Sequence, residues 1–190
     1  MAEEVLRIEN LQAWYGESHI LHGVNLTVHK GEVVTLLGRN GAGRTSTLKS
    51  VLGLVGRRTG SIKLNGVETV GMPTYKIAHM GIAYVPEERG IFSSLSVEEN
   101  LTLPPEIAKG GMSLDEITEG LAPVIVQALG RVIVKLKERG FTIVLVEQNF
   151  RFAAPLADRH YVMEHGKIAE TFAAAELESK TQMLHEYLGV

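Results

Sequence analysis

Two short, unbroken apolar runs frame the pattern of the chain. Val33–Leu37 reads VVTLL and is closed by Gly38, and Thr142–Val146 reads TIVLV and is closed by Glu147. Runs of this kind suit strands buried on both faces, hence a parallel sheet covered by helices. Residues 5–8 and 20–28 also predict strands. In the second, Val24, Leu26 and Val28 alternate with polar positions, as in a sheet with one exposed face. Residues 61–64 run into Asn65-Gly66, a strand entering a tight turn. Residues 160–164, His165-Gly166 and 167–170 predict a hairpin. Leu121, Ile125, Leu129, Val132, Ile133 and Leu136 recur at helical spacing, with Gly140 placed as the stop. Leu177, Leu184, Tyr187 and Leu188 give the last segment an apolar helical stripe.

Composition narrows the class. The 190 residues are 45% hydrophobic and 22% charged, which fits a single globular domain. Nineteen Lys+Arg against 22 Asp+Glu, with no basic run beyond Arg57-Arg58, argue against a nucleic-acid partner. The absence of cysteine excludes disulfides, thiolate chemistry and Cys-ligated zinc. No stretch approaches the ~18 apolar residues of a membrane span, and MAEEVLRIEN lacks a signal pattern, so a soluble, cytoplasmic chain is expected. His19 and His22 are the only near-neighbour histidines. Three-residue spacing in a strand is expected to put them on opposite faces, which speaks against a metal site.

The strongest chemical signal is Gly38-Arg39-Asn40-Gly41-Ala42-Gly43-Arg44-Thr45-Ser46. It follows a buried strand and opens a helix-compatible segment, the context required of G-x-x-x-x-G-K-[ST], with arginine in the lysine position. The glycines let backbone N–H groups turn into an anion nest, and the helix N-terminus adds partial positive charge. Thr45 offers a hydroxyl for Mg²⁺. Arg44 keeps the charge but replaces a compact ammonium by a planar fork, so weakened nucleotide binding is expected.

Further stretches carry a family resemblance: AWYGESHILHGVNLTV, LLGRNGAGRTSTLKSVLGL, GIAYVPEERGIFSSLSVEENL, TEGLAPVIVQ and TIVLVEQNFRFAAPLADRHYVMEHGKI, in that order. Together they resemble the ATP-binding subunits of ABC transporters, specifically the LivF-type subunits of branched-chain amino acid importers. The resemblance implies an α/β fold, a P-loop NTPase core with an antiparallel β subdomain, and a function coupling ATP binding and hydrolysis to transport. ATP and Mg²⁺ are the implied cofactors. It also implies partners: transmembrane permease subunits, a second ATP-binding subunit and, indirectly, a periplasmic amino-acid-binding protein. Such a subunit sits peripherally on the inner face of the cell membrane. Residue by residue, Tyr15 matches the aromatic that stacks on adenine, and Glu87 falls at the Q-loop position. Glu119, Gly120, Leu121 and Ala122 match the D-loop, and Gln148 occupies the switch position.

The departures are equally specific. The family carries a helical subdomain, an LSGGQ-type signature and a Walker B strand between the matches to Glu99-Asn100 and Glu119-Gly120. This chain, read as one nucleotide-binding domain over residues 1–190, is shortened around 101–118 and contains no Leu-Ser-Gly-Gly. Leu114-Asp115-Glu116 stands where a Walker B ending would, but Gly110-Gly111-Met112-Ser113 before it are poor strand formers. Residues 101–117 are therefore expected to be a linker ending in a helix start, with Ser113 and Glu116 at capping-box spacing. Asp115 and Glu116 are surface residues on that reading. They become the candidate catalytic pair only if a strand precedes them. With the Walker B strand lost, residues 82–85 are expected to pair directly with Thr142–Val146 or to leave an open edge. Three functions follow: an importer ATPase, impaired or inactive as written; a nucleotide-binding or scaffolding remnant without turnover; or an internally deleted product without a role of its own.

Overall fold

In the computed structural model the described residues are 3–85, 111–115 and 123–188. The chain opens with two long strands, β1 (Glu4–Tyr15) and β2 (Ser18–His29), followed by β3 (Val33–Leu37) and helix α1 (Arg44–Val51). Strands β4 (Arg57–Leu64) and β5 (Val67–Glu68) come next, then α2 (Thr74–Ala78) and β6 (Ile82–Val85). The remainder is β7 (Gly111–Asp115), α3 (Pro123–Glu138), β8 (Thr142–Val146), α4 (Phe150–Ala153), β9 (Arg159–Glu164), β10 (Lys167–Ala173) and α5 (Leu177–Leu188).

Two sheets form. One is antiparallel, in the order β2-β1-β4-β5; the other has the order β10-β9-β3-β8-β7-β6. The second is parallel throughout except for the β9–β10 hairpin. All five residues of β3 and all five of β8 are buried, which accounts for their unbroken apolar sequence. The side chains of β3 divide between two cores. Val34 and Leu36 join Leu48 and Val51 of α1 and the inner face of the antiparallel sheet. Val33 and Leu37 pack with Ile133 of α3 and Leu184 and Leu188 of α5. The glycine loop thus leaves the sheet from a strand held on both faces and along both edges.

Strand β7 corrects the reading of residues 101–117 as a linker ending in a helix start. Gly111–Asp115 is a strand, paired in parallel with β8 on one side and β6 on the other. Its composition is poor for a strand, but a slot between two parallel neighbours supplies hydrogen-bond partners on both edges. That environment overrides local preference. Ser113 therefore caps no helix, and β6 does not pair with β8, because β7 lies between them.

A polar network joins the two sheets at the base of β3. Arg159 donates from Nε and Nη2 to the two carboxylate oxygens of Glu32, each over 2.9 Å, and from Nη1 to the Tyr161 hydroxyl over 2.8 Å. The Tyr161 hydroxyl donates to the Thr27 carbonyl and accepts from the Thr27 N–H. Burial alone would raise the Glu32 carboxyl. Hydrogen bonds from Arg159 and from the His29 N–H outweigh it and hold the group below its ordinary value.

Candidate functional site

The site is built where β3 ends. Gly38 has φ +155, and a Cβ there would lie 2.5 Å from the Met163 carbonyl oxygen. Gly43 sits at φ +105 immediately before α1, where a side chain is strained. Between them the loop turns tightly, the Ala42 N–H donating to the Arg39 carbonyl over 3.0 Å. Helix α1 has no side-chain cap at Gly43 and no acidic residue in its first turn. The positive end of its dipole thus faces the loop with no first-turn carboxylate to offset it, a polarity that favours an anion there.

This loop forms the floor of a cleft of about 410 Å³, lined by residues 40–46. Tyr15 and Ile20 form one wall, from the β1–β2 end of the antiparallel sheet, and Gln148 borders it after β8. The structure therefore brings together, from distant parts of the sequence, the candidate adenine-stacking tyrosine, the phosphate loop and the switch-position glutamine. Tyr15 is 46% exposed at the border of the cleft. Arg44 is 5% exposed, and its Nη2 donates to Asn40 Oδ1 over 3.1 Å, within the loop itself.

Asp115 closes β7 in register with Val146, the last residue of β8. This places Asp115 at the carboxyl end of the parallel strands, the edge from which the glycine loop also departs. In open α/β sheets that edge is where ligands bind. The expectation that Asp115 lies at a helix start is overturned with the rest of that linker reading. Glu116, Glu87 and the D-loop residues Glu119, Gly120, Leu121 and Ala122 lie outside the described residues. Glu147, next to Val146, is 1% exposed at the same edge. In the sequence Glu147 only ends an apolar run; its signal is a charged residue directly after five buried positions.

The histidine pair is also corrected. His19 and His22 have ring centroids 4.1 Å apart, and Trp14 stacks on His19 at 4.3 Å. The pairing runs Gln12 with His22, Ala13 with Leu21 and Trp14 with His19, so Ile20 is an extra residue in β2. This bulge returns His19 and His22 to one side. Burial and the neighbouring charges of His19 and Lys167 lower the His22 imidazole below its ordinary range.

The fold is that of a P-loop NTPase core joined to an antiparallel β subdomain, with few helices. The chain belongs to the ABC transporter family, whose sequence model matches residues 21–183. It is 34% identical to the high-affinity branched-chain amino acid transport ATP-binding protein BraG of Pseudomonas aeruginosa, over 97% of this chain and all of that protein. It is 29% identical to the lipopolysaccharide export system ATP-binding protein LptB of Haemophilus influenzae, over 97% of each. Among solved structures, the ATP-binding subunit of an ABC transporter superposes with a TM-score of 0.79 at 21% identity, covering 98% of this chain and all of that one. Among the described residues no helix is long and apolar enough to cross a membrane.

Proposed function

We propose that this chain is the ATP-binding subunit of an ABC importer for branched-chain amino acids, shortened internally, which holds Mg²⁺-ATP without turning it over. The observation that carries nucleotide binding is the unit formed by β3, the glycine loop and α1. A fully buried strand delivers the glycine loop, whose residues 40–46 line a cleft bordered by Tyr15 and Gln148. The loop's backbone donors would take the phosphates, and the exposed Tyr15 would stack on the adenine. The oxygen donors suit a hard cation: the Thr45 hydroxyl in the cleft and a carboxylate residue, Asp115, ending β7. Mg²⁺ held there would neutralise phosphate charge.

Importer function is favoured over export by the higher identity to BraG, 34% against 29% for LptB. The alignment to BraG runs over 232 residues, more than the 190 of this chain, while covering all of BraG. This supports internal shortening. β7 lies between β6 and β8, which favours reading it as the Walker B strand; the shortening then falls before Gly111, not after Ile117 as the helix-start reading required. Turnover fails because the chain has no Leu-Ser-Gly-Gly to complete a composite site with a second subunit, and because Arg44 displaces the charge meant for the terminal phosphate. On this reading Asp115 and Glu116 are retained as the metal and water-orienting pair, Glu119–Ala122 as the D-loop and Glu87 as the Q-loop residue. The chain works peripherally at the cytoplasmic face of the membrane, against permease subunits.

The test is calorimetric titration of ATP into the chain and into Thr45→Ala, with and without Mg²⁺. Mg²⁺ should tighten binding to the parent chain and leave the variant unaffected. Equal Mg²⁺ dependence in both would remove Thr45 from the site, and no saturable heat at millimolar ATP would remove nucleotide binding altogether.

A further inference from the structure

We propose that Met163 and Gly166, at the end of β9 and in the β9–β10 turn, are positioning residues that hold the phosphate loop in its anion-binding shape. The inference rests on the nucleotide-binding reading above. It assigns the device that keeps the loop formed.

The contacts converge on the back of the loop. β9 lies parallel to β3, with Val162 beside Leu37, so Met163 is the next residue along, just as the loop leaves the sheet. Its carbonyl oxygen occupies the space that a Gly38 side chain would need, at 2.5 Å. Its terminal methyl lies 3.2 Å from where a Gly43 side chain would begin, and the Thr47 hydroxyl points at its sulfur over 3.7 Å. Two residues past β9, the Gly166 N–H donates to the Ala42 carbonyl over 2.9 Å, and the Gly166 carbonyl accepts from the His22 N–H over 2.8 Å. Gly166 has φ +73, and a side chain there would collide with the Ile20 carbonyl.

The end of β9 and the turn after it thus touch the loop at Gly38, Ala42 and Gly43, touch α1 at Thr47, and are bonded onward to β2. Ile20 of β2 lines the cleft beside Tyr15, so the turn also fixes the spacing between the phosphate floor and the adenine wall. Met163 belongs to the core and also lies against the loop itself. Here the neighbours include loop backbone whose glycines exist to bring it close.

The experiment uses the full chain and three variants: Met163→Ala, Met163→Leu and, as an equally buried control on α5, Leu184→Ala. Amide exchange without nucleotide is followed at residues 42–47 relative to Thr142–Val146, and affinities for AMP and ADP are measured. Met163→Ala should speed exchange at 42–47 about tenfold more than Leu184→Ala does. It should weaken ADP about tenfold with AMP unchanged, since only the second phosphate depends on a formed nest. Met163→Leu, which keeps the bulk and so the fold, should show smaller losses in the same order. Exchange and ADP/AMP ratios in the Met163 variants equal to those of Leu184→Ala would overturn the proposal. If exchange behaves as expected but the parent chain binds no ADP, the nucleotide reading falls and the loop-holding role stands.

Discussion

Arg44 donates from Nη2 to Oδ1 of Asn40, 3.1 Å away, so the guanidinium in the lysine position is bound to the loop it serves. A phosphate entering this loop meets a charge already committed to a loop side chain and spread over a plane. Arg44→Lys should therefore tighten Mg²⁺-ATP binding by about tenfold, roughly 1.4 kcal/mol, read by calorimetry. The same variant should still release no phosphate, because the signature motif is absent. Unchanged or weaker binding would show that the fork serves the phosphates as well as an ammonium would.

His160 sets an acid limit on stability. It is fully buried beside Phe172, its Nδ1 is 2.7 Å from the Thr35 hydroxyl, and its Nε2 has no hydrogen-bond partner among the described residues. Burial lowers its pKa from 6.5 to about 4, so the folded protein holds it neutral. A depressed folded pKa gives stability that is complete above pH 6.5 and declines as pH falls toward 4. The decline is on the order of 3 kcal/mol. Urea unfolding of the parent and His160→Gln at pH 7.5, 5.5 and 4.5 should show a gap that narrows with acid. A gap constant with pH would contradict neutral burial.

The Glu32–Arg159 pair titrates in a different window. Glu32 is held below its ordinary 4.5, so its contribution persists above that value and is lost only as pH falls through the lower folded value. Glu32→Ala leaves a partly buried guanidinium with the Tyr161 hydroxyl, the Thr27 carbonyl and a 3.5 Å approach to His29 Nδ1. A loss of about 3 kcal/mol at pH 7 is expected in urea unfolding. A loss under about 1 kcal/mol would place the pair among ordinary surface ion pairs.

What could be read from the sequence was whatever a few adjacent residues decide. VVTLL, the glycine loop, TIVLV and the Asn65-Gly66 turn each carry their own signal, and each is where its pattern placed it. GMSLD carries none, because its strand conformation comes from β6 and β8 on either side. His19 and His22 share a side through one extra residue, Ile20, which strict alternation cannot anticipate. The Arg159–Glu32 contact joins residues 127 positions apart, and the Gly166–Ala42 bond comparably distant ones. Of the candidate site, Tyr15, residues 40–46 and Gln148 meet around one cleft, while Glu147, Met163 and Ile20 emerged only from the fold.

The most direct measurement is a single-turnover experiment with the chain in excess over γ-labelled ATP and Mg²⁺, sampled over many minutes, quenched in acid and analysed for total labelled ATP and phosphate, beside an equilibrium dialysis of the same mixture. Nucleotide held in the loop and not cleaved gives label enriched on the protein side of the membrane and recovered as intact ATP at every time. Phosphate released above the protein-free control would show that Asp115 and Glu116 complete a working site without the signature motif, and label equal on both sides of the membrane would show that residues 38–46 hold no nucleotide.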